Sequence, residues 1–301
     1  MTYRYVTVDT PWQTRRSHAA GGVPGMFGGT IDALLNLQAL HGHVVAAWEA
    51  RGGVRGSAFR DQFLEGYKGT RKPAPEGYGP AVEELMEILP AFGITQAWCE
   101  AEADDVAATI AREWPGPHLL YCVDKDWLQL IDEEVHALRM GKLITLENFG
   151  EVKVDGYDGF TPDMLTGYLT LAGDNTDCIP GLPKVGKKRA MDILRACPGF
   201  VDLMLAGHGS AARAELAAGH ATLVQWASVA EEHMEILKAS YEAVTLYTLD
   251  LEVVEAAPDP GKAVDWLHRH DLGHLAERAS EMQEDEHPEA TEEDPDGDLP
   301  W

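Results

Sequence analysis

Acidic residues recur along the 301-residue chain in groupings that could hold a cation. Glu102, Asp104 and Asp105 put three carboxylates into four positions. Charges so crowded repel one another unless a cation or a basic ligand sits among them. In the first turn of a helix they would also suit its dipole, so capping is the competing reading. Asp124 and Asp126, two apart and just past an apolar run, can converge on one ion. Asp174 and Asp177 open the stretch GDNTDCIPGLPKVGKKRA, residues 173–190. Its Gly and Pro residues fix a turn, and Lys187, Lys188 and Arg189 then begin an apolar-periodic run. A helix opened near Gly186 would offer free N–H groups and a positive dipole end to a phosphate, with Lys184 adding charge. The front half of this stretch can therefore hold a metal and the back half a phosphate backbone. A basic surface turn between two helices is the alternative.

These side chains need strands to carry them. Tyr3 to Val8 alternates and delivers Asp9; His43 to Trp48 delivers Glu49; Thr95 to Cys99 precedes Glu102; the apolar run His118 to Val123 precedes Asp124. Helical spacing marks Gly28–Leu40, Val82–Leu89, the stretch from Thr161 into the hairpin, most of Ala211–Leu249, and Val264–Ala279. Two short strands are expected at 134–139 and 143–146. Strand–helix alternation predicts an α/β protein with a mainly parallel sheet, whose C-terminal strand edge binds ligands.

A chain of this length can bury a sizeable core as one large domain or two. No apolar run of about 18 residues or secretory h-region is present, so a cytoplasmic protein without a membrane span is expected. Cys99, Cys122, Cys178 and Cys197 are scattered, which predicts reduced thiols and no zinc site. The net charge is −26, but ten acids and no Lys or Arg lie in residues 281–301, and without those ten it is −16. Eleven of the 24 basic residues lie within 51–72 and 183–195. A basic channel inside an acidic shell is compatible with such a distribution.

The motifs resemble those of the 5′-nuclease family: flap endonucleases and the 5′–3′ exonuclease domain of bacterial DNA polymerase I. That family carries G-D-x-S-D-N-I-P-G-x-x-G-I-G-x-K-T-A at the hairpin, Y-K-x-x-R at the base of a helical arch, E-A-D-D-V/I and D-K-D-x-x-Q-L. Here the last three stand as Tyr67 to Arg71, Glu102 to Val106, and Asp124 to Leu130. Asp9 is followed seven residues later by Arg16, as in the family. The chain departs at Glu49 (family Asp), Cys178 (family Asn) and Lys184 (family Gly). The resemblance runs from about Tyr3 to about Ala279.

The resemblance implies a nuclease core over 1–160 with an arch at about 50–90, and a helical region over 161–279 around a helix-hairpin-helix. It implies that Asp9, Glu49, Glu102, Asp104, Asp105, Asp124, Asp126, Asp174 and Asp177 converge on divalent ions. An oxygen-only donor set suits Mg²⁺, with Mn²⁺ as substitute. Two such ions, about 4 Å apart, can activate a water and stabilise the leaving oxygen. Lys68, Arg71 and Arg16 would offset phosphate charge, Tyr67 would stack on an unpaired base, and Lys184, Gly186, Lys187, Lys188 and Arg189 would hold duplex DNA. The resemblance also allows K⁺ at the hairpin. It predicts a stand-alone, phage-like monomer cutting DNA at 5′ ends and single-strand/duplex junctions. A DNA-binding module with impaired chemistry and a PIN-like ribonuclease are the alternatives. Residues 280–301 are expected to be a disordered acidic tail: a solvated segment, a DNA mimic, or a docking peptide for a replication protein.

Overall fold

The computed structural model describes residues 2–50 and 56–280. Seven strands form one sheet: β1 (Tyr5–Asp9), β2 (Val44–Ala47), β3 (Thr95–Trp98), β4 (His118–Tyr121), β5 (Val135–Arg139), β6 (Lys142–Ile144) and β7 (Glu252–Val254). Their spatial order is β6-β5-β4-β1-β2-β3-β7. The pairs β5-β4, β4-β1, β1-β2 and β2-β3 are parallel, and only the outermost strands, β6 and β7, run antiparallel to their neighbours. The chain moves outward from β1 through β2 to β3 and then returns to the other side of β1 with β4. Such a reversal leaves a crevice at the C-terminal strand ends, where ligands bind in open α/β sheets.

Helices cover both faces. The helices of the first half are α1 (Thr10–His41), α2 (Ala58–Asp61), α3 (Tyr78–Ile88) and α4 (Ala103–Glu113). Those of the second half are α5 (Pro162–Ala172), α6 (Lys187–Ala196), α7 (Phe200–Leu205), α8 (Gly209–Gly219), α9 (Gln225–Glu232), α10 (Met234–Val244), α11 (Pro260–Arg269) and α12 (Ala276–Ser280). Val6, Val8, Val44 and Ala46 pack with Ile31, Leu34, Leu85 and Trp266 on one face. Val45, Ala47, Ala97 and Leu120 pack with α4 and, continuously, with α5 to α10 on the other. Both faces of the central strands are thus apolar, as parallel strands between helical layers require. Among the described residues, no helix is long and apolar enough to cross a membrane.

Several expectations shift. The helix expected at Gly28–Leu40 begins instead at Thr10, because Asp9 caps it by accepting the Trp12 N–H at 3.0 Å; it breaks at Gly21–Gly22. The three-residue edge strand β7 is exposed throughout and leaves no apolar signature. Of the arch at 50–90, residues 51–55 lie outside the described residues. α3 belongs to the core, where Leu85 and Ile88 are buried. What remains over the sheet edge is α2 and the turn-rich segment that follows it. The acidic tail from Glu281 onward also lies outside the described residues.

Candidate active site

Asp9 ends β1, Glu49 follows β2, Glu102 and Asp104 follow β3, and Asp124 follows β4. Parallel pairing brings these strand ends to one edge, and the five carboxylates line one cleft of about 370 Å³. Lys68 and Arg71, from the segment after α2, line it from above, and Arg15, Lys125 and Arg139 complete its basic wall.

The acids differ in what faces them. Asp9 is 8% exposed and accepts only the Trp12 N–H among the described residues. Burial, then the charges of Asp104 and Asp124, push its pKa from 3.8 up to about 7, against the Trp12 N–H and Arg15. Asp124 is exposed on the cleft wall, yet desolvation by the surrounding walls and the charge of Asp104 raise its pKa, although its Oδ1 accepts the Asp126 N–H at 3.0 Å. Asp126 is driven well above the carboxylate range by burial and by Asp124. Its Oδ1 is buried without a hydrogen-bond partner, and the Lys125 ammonium stands 3.9 Å away. Asp104 accepts the Trp127 indole N–H at 2.7 Å.

The remaining acids are paired. Glu49 accepts from Arg15 at 2.7 Å. Glu102 is nearly buried; its Oε1 accepts from the Lys68 ammonium, and its Oε2 from Tyr67 Oη (3.0 Å) and Arg60 (3.1 Å). Burial, with Asp104 beside it, nevertheless outweighs both cations and raises its pKa. Lys68 is also raised: burial is the largest single effect and lowers it, but Glu102, Asp104 and Asp177 together outweigh that burial. Asp174 accepts from Lys125 at 2.7 Å and from the Thr176 N–H at 2.8 Å. These hydrogen bonds overcome partial burial and hold its pKa below the usual value. Asp177 accepts from Arg71 at 2.6 Å, and the Lys68 N–H donates to its carbonyl at 3.0 Å. Asp174 and Asp177 thus reach the site from the α5–α6 loop through Lys125, Lys68 and Arg71.

Three expected site residues stand elsewhere. Asp105 is fully buried; its Oδ1 accepts from Arg60 and the Tyr247 N–H, and its Oδ2 from Arg60 and the Glu102 N–H. A carboxylate has about four lone-pair sites, so none is left for an ion. Arg16 does not line the cleft; its guanidinium lies 5.3 Å over the Trp12 ring, and it lines a separate cavity with Gln13, Ser17 and Asn36. The arginine turned to the acids is its neighbour Arg15. Tyr67 is 3% exposed and spends its hydroxyl on Glu102, so its ring presents no stacking surface. Arg189 keeps its expected place, exposed in the first turn of α6, where it also lies 4.5 Å over the Trp226 ring and donates to the Lys184 carbonyl.

The α5–α6 loop explains its own sequence. Gly173 and Gly181 have φ of 69° and 66°, and a Cβ on either would meet backbone atoms within 2.8 Å. Gly186 caps α6, whose first turn carries Lys187 (3.1 Å from Asp155), Lys188 (2.7 Å from Asp192) and Arg189. Cys178 and Lys184, where the chain departs from the family pattern, both sit at positive φ, 62° and 66°. Asn and Gly are the residues that adopt that region readily.

The 5′-3′ exonuclease N-terminal resolvase-like domain matches residues 3–155. The chain belongs to that family. Within it, the chain is 29% identical over 215 residues to DNA polymerase I of Pseudomonas aeruginosa, covering 68% of this chain but only 22% of the polymerase. It is 30% identical over 202 residues to flap endonuclease Xni of Shewanella woodyi, covering 64% of this chain and 77% of that one. Among solved structures, the T5 D15 protein co-crystallized with metal ions superposes with a TM-score of 0.57 at 18% identity, over 92% of this chain and 96% of that one. The catalytic core of Rad2 in complex with DNA substrate does so at 0.53 and 15%, over 93% and 91%. At those identities the likeness is one of fold: an α/β sheet with helices on both faces.

Among the described residues, no three His, Cys, Asp or Glu side chains form a ready metal cluster. The donor chemistry nonetheless suits a hard divalent ion. Every candidate ligand is a carboxylate, Asp126 holds a buried oxygen with no donor, and desolvation with mutual repulsion raises Asp9 and Asp124.

Proposed function

We propose that this member of the family is a structure-specific 5′ nuclease that hydrolyses DNA phosphodiester bonds near 5′ ends and single-strand/duplex junctions. The observation that carries this reading is the convergence of carboxylates from four successive strand ends on one cleft whose wall is basic. Flap endonuclease Xni and the 5′-3′ exonuclease domain are its relatives by sequence. The T5 D15 protein was co-crystallized with metal ions and Rad2 with DNA substrate, on the same fold.

Asp9, Asp104, Asp124 and Asp126, with Glu49, Glu102, Asp174 and Asp177, would hold Mg²⁺ or Mn²⁺. When bound, such ions supply a water acidic enough to attack and a Lewis acid for the leaving oxygen. The chain's own residues do the rest. Lys68 and Arg71 stand over the acids and can pass from Glu102 and Asp177 to a phosphate. Arg71 offers a planar fork and Lys68 a compact ammonium. Arg15 is placed to do the same from α1. The Gly186 end of α6 offers backbone N–H groups to duplex phosphates, with Lys187 and Lys188 exposed beside it. Interactions of that kind position DNA without reading its sequence. A K⁺ ion at the loop backbone belongs to the same reading; exchanging K⁺ for Na⁺ should then weaken duplex affinity.

The test is cleavage of a 5′-labelled flap. Asp124→Asn with Asp126→Asn should abolish cleavage in Mg²⁺ while leaving flap binding in Ca²⁺ intact. Turnover above a hundredth of wild type would overturn the assignment. Equal cutting of an RNA flap would favour the ribonuclease alternative.

A further inference from the structure

Arg60 counts, by sequence, as one more cation in the basic stretch 51–72. In the structure it is 2% exposed and all five of its N–H donors are used. Nε donates to the Ala243 carbonyl (2.9 Å), and Nη2 to the Thr245 carbonyl (2.9 Å) and Asp105 Oδ1 (2.9 Å). Nη1 donates to Asp105 Oδ2 (2.6 Å) and Glu102 Oε2 (3.1 Å). A guanidinium so enclosed cannot meet a phosphate.

What it does meet is the carboxylate that ties separate parts of the chain together. Arg60 lies on α2 at the foot of the segment that carries Lys68 and Arg71. Its carbonyl partners end α10, far along the chain, and Asp105 and Glu102 open α4. Glu102 Oε2 receives both Arg60 and Tyr67, so that oxygen is filled. The other, Oε1, is met among the described residues only by Lys68, which lines the cleft together with Glu102. Arg60 and Tyr67 therefore decide which oxygen Glu102 presents. Asp105, saturated by Arg60 and two backbone N–H groups, holds the guanidinium in plane.

We propose that Arg60 is a positioning residue for metal binding: acting through Glu102, it fixes the Oε1 lone pairs toward the cleft. This rests on the reading of Glu102 as a ligand given above. Partners that orient a ligand in this way typically change metal affinity by about 10–100-fold when removed. A lysine keeps the charge but cannot reproduce a planar five-donor fork.

The experiment measures Mn²⁺ binding to the full chain, without DNA, by the paramagnetic resonance of free Mn²⁺. Circular dichroism and thermal melting report folding. Arg60→Lys should weaken Mn²⁺ binding about tenfold, lower kcat on a flap substrate at fixed Mg²⁺, and leave KM for DNA unchanged. In a Glu102→Gln background the same substitution should change nothing further, because a residue acting through Glu102 has no second route. Wild-type Mn²⁺ affinity in folded Arg60→Lys, or additive losses in the double variant, overturns the proposal. If Glu102→Gln itself binds Mn²⁺ like wild type, the ligand role of Glu102 fails instead. Should Arg60→Lys not fold, Tyr67→Phe removes the second donor to the same oxygen. It should weaken Mn²⁺ binding a few-fold, an effect absent in Glu102→Gln; unchanged affinity there refutes the orientation of Glu102 by its donors.

Discussion

Asp9→Asn should stabilise the protein against unfolding while destroying its chemistry. Asp9 is buried at the end of β1, and burial with Asp104 and Asp124 raises its pKa from 3.8 to about 7. At pH 8 the native state must keep this carboxylate charged, although it would sooner be neutral by about three pH units, or ~4 kcal/mol. The sign follows from proton uptake. Between about pH 4 and pH 7 the folded protein holds a proton on Asp9 that the unfolded chain has released. Stability therefore falls as pH rises through that window and levels off above about 7. Asparagine removes the charge yet keeps an oxygen to accept the Trp12 N–H that starts α1, so the cap survives. Because Asp104 and Asp124 share the repulsion, ~4 kcal/mol is a ceiling, and a gain of ~2–4 kcal/mol is expected. The assay is urea unfolding followed by tryptophan fluorescence in chelator, at pH 8 and at pH 4.5. The variant should be the more stable at pH 8, and the gap should shrink below ~1 kcal/mol at pH 4.5. Mg²⁺ should raise the stability of wild type more than that of the variant. Equal or lower stability of Asp9→Asn at pH 8, or a gap that ignores pH, would refute the account of a frustrated acid.

Lys184→Gly should gain about 0.5–1 kcal/mol in the same unfolding assay, since a left-handed lysine costs ~1–2 kcal/mol and the added freedom of glycine in the unfolded chain returns part of that. If duplex affinity falls at the same time, the lysine contacts DNA; a rise would show that it obstructs the backbone. Gly181→Ala should cost more than about 2 kcal/mol, because its Cβ would lie 2.6–2.8 Å from backbone of residues 171–173 at φ 66°; a loss under ~0.5 kcal/mol would mean that the loop rearranges freely. Lys187→Ala with Lys188→Ala should lower the salt dependence of duplex binding by about 1 in log–log slope for each phosphate no longer neutralised, and an unchanged slope would remove α6 as the duplex anchor.

The sheet edge was legible in the sequence because β1, β2, β3 and β4 are each short, largely apolar segments that end at an acid or are followed within a few residues by one. Asp9, Glu102 and Asp124 could be placed from that pattern alone, before any pairing was known. Side-chain direction was not legible. Arg15 and Arg16 are adjacent, and nothing local says which side of α1 faces the cleft; the answer depends on how Asp9 starts the helix and where Met26 and Phe27 pack. Asp105 looks like Asp104 in sequence, yet about 100° of helix rotation separates them. One meets Trp127 and the cleft, the other Arg60 and the backbone of Tyr247. Arg60 itself gave no signal, since its partners at 102, 105, 243 and 245 are far away in the chain. Lys125 lay between two recognised acids, and its reach to Asp174 depends on a loop fixed only in three dimensions.

The acids in and around the cleft fall into two groups by what carries them. Glu49, Glu102, Asp174 and Asp177 each accept from a basic side chain on a different element: Arg15 of α1, Lys68 and Arg71 of the segment after α2, and Lys125 after β4. Asp9, Asp104 and Asp124 accept, among the described residues, only from the neutral Trp12 N–H, Trp127 indole and Asp126 N–H. The second group sits at or just past the ends of β1, β3 and β4, on backbone held by the sheet and the start of α4. Negative charge that no basic side chain bonds directly is therefore concentrated at the strand ends, where a cation would gain most and the backbone would reorganise least. The first group belongs to loops and segments over the cleft, and its ion pairs tie those parts down. Such pairs exchange partners at little net cost, because an arginine or lysine that leaves a carboxylate for a phosphate trades one anion for another. The division gives the cleft a fixed half suited to ions and an adjustable half suited to a charged polymer, and it follows from which element each acid ends.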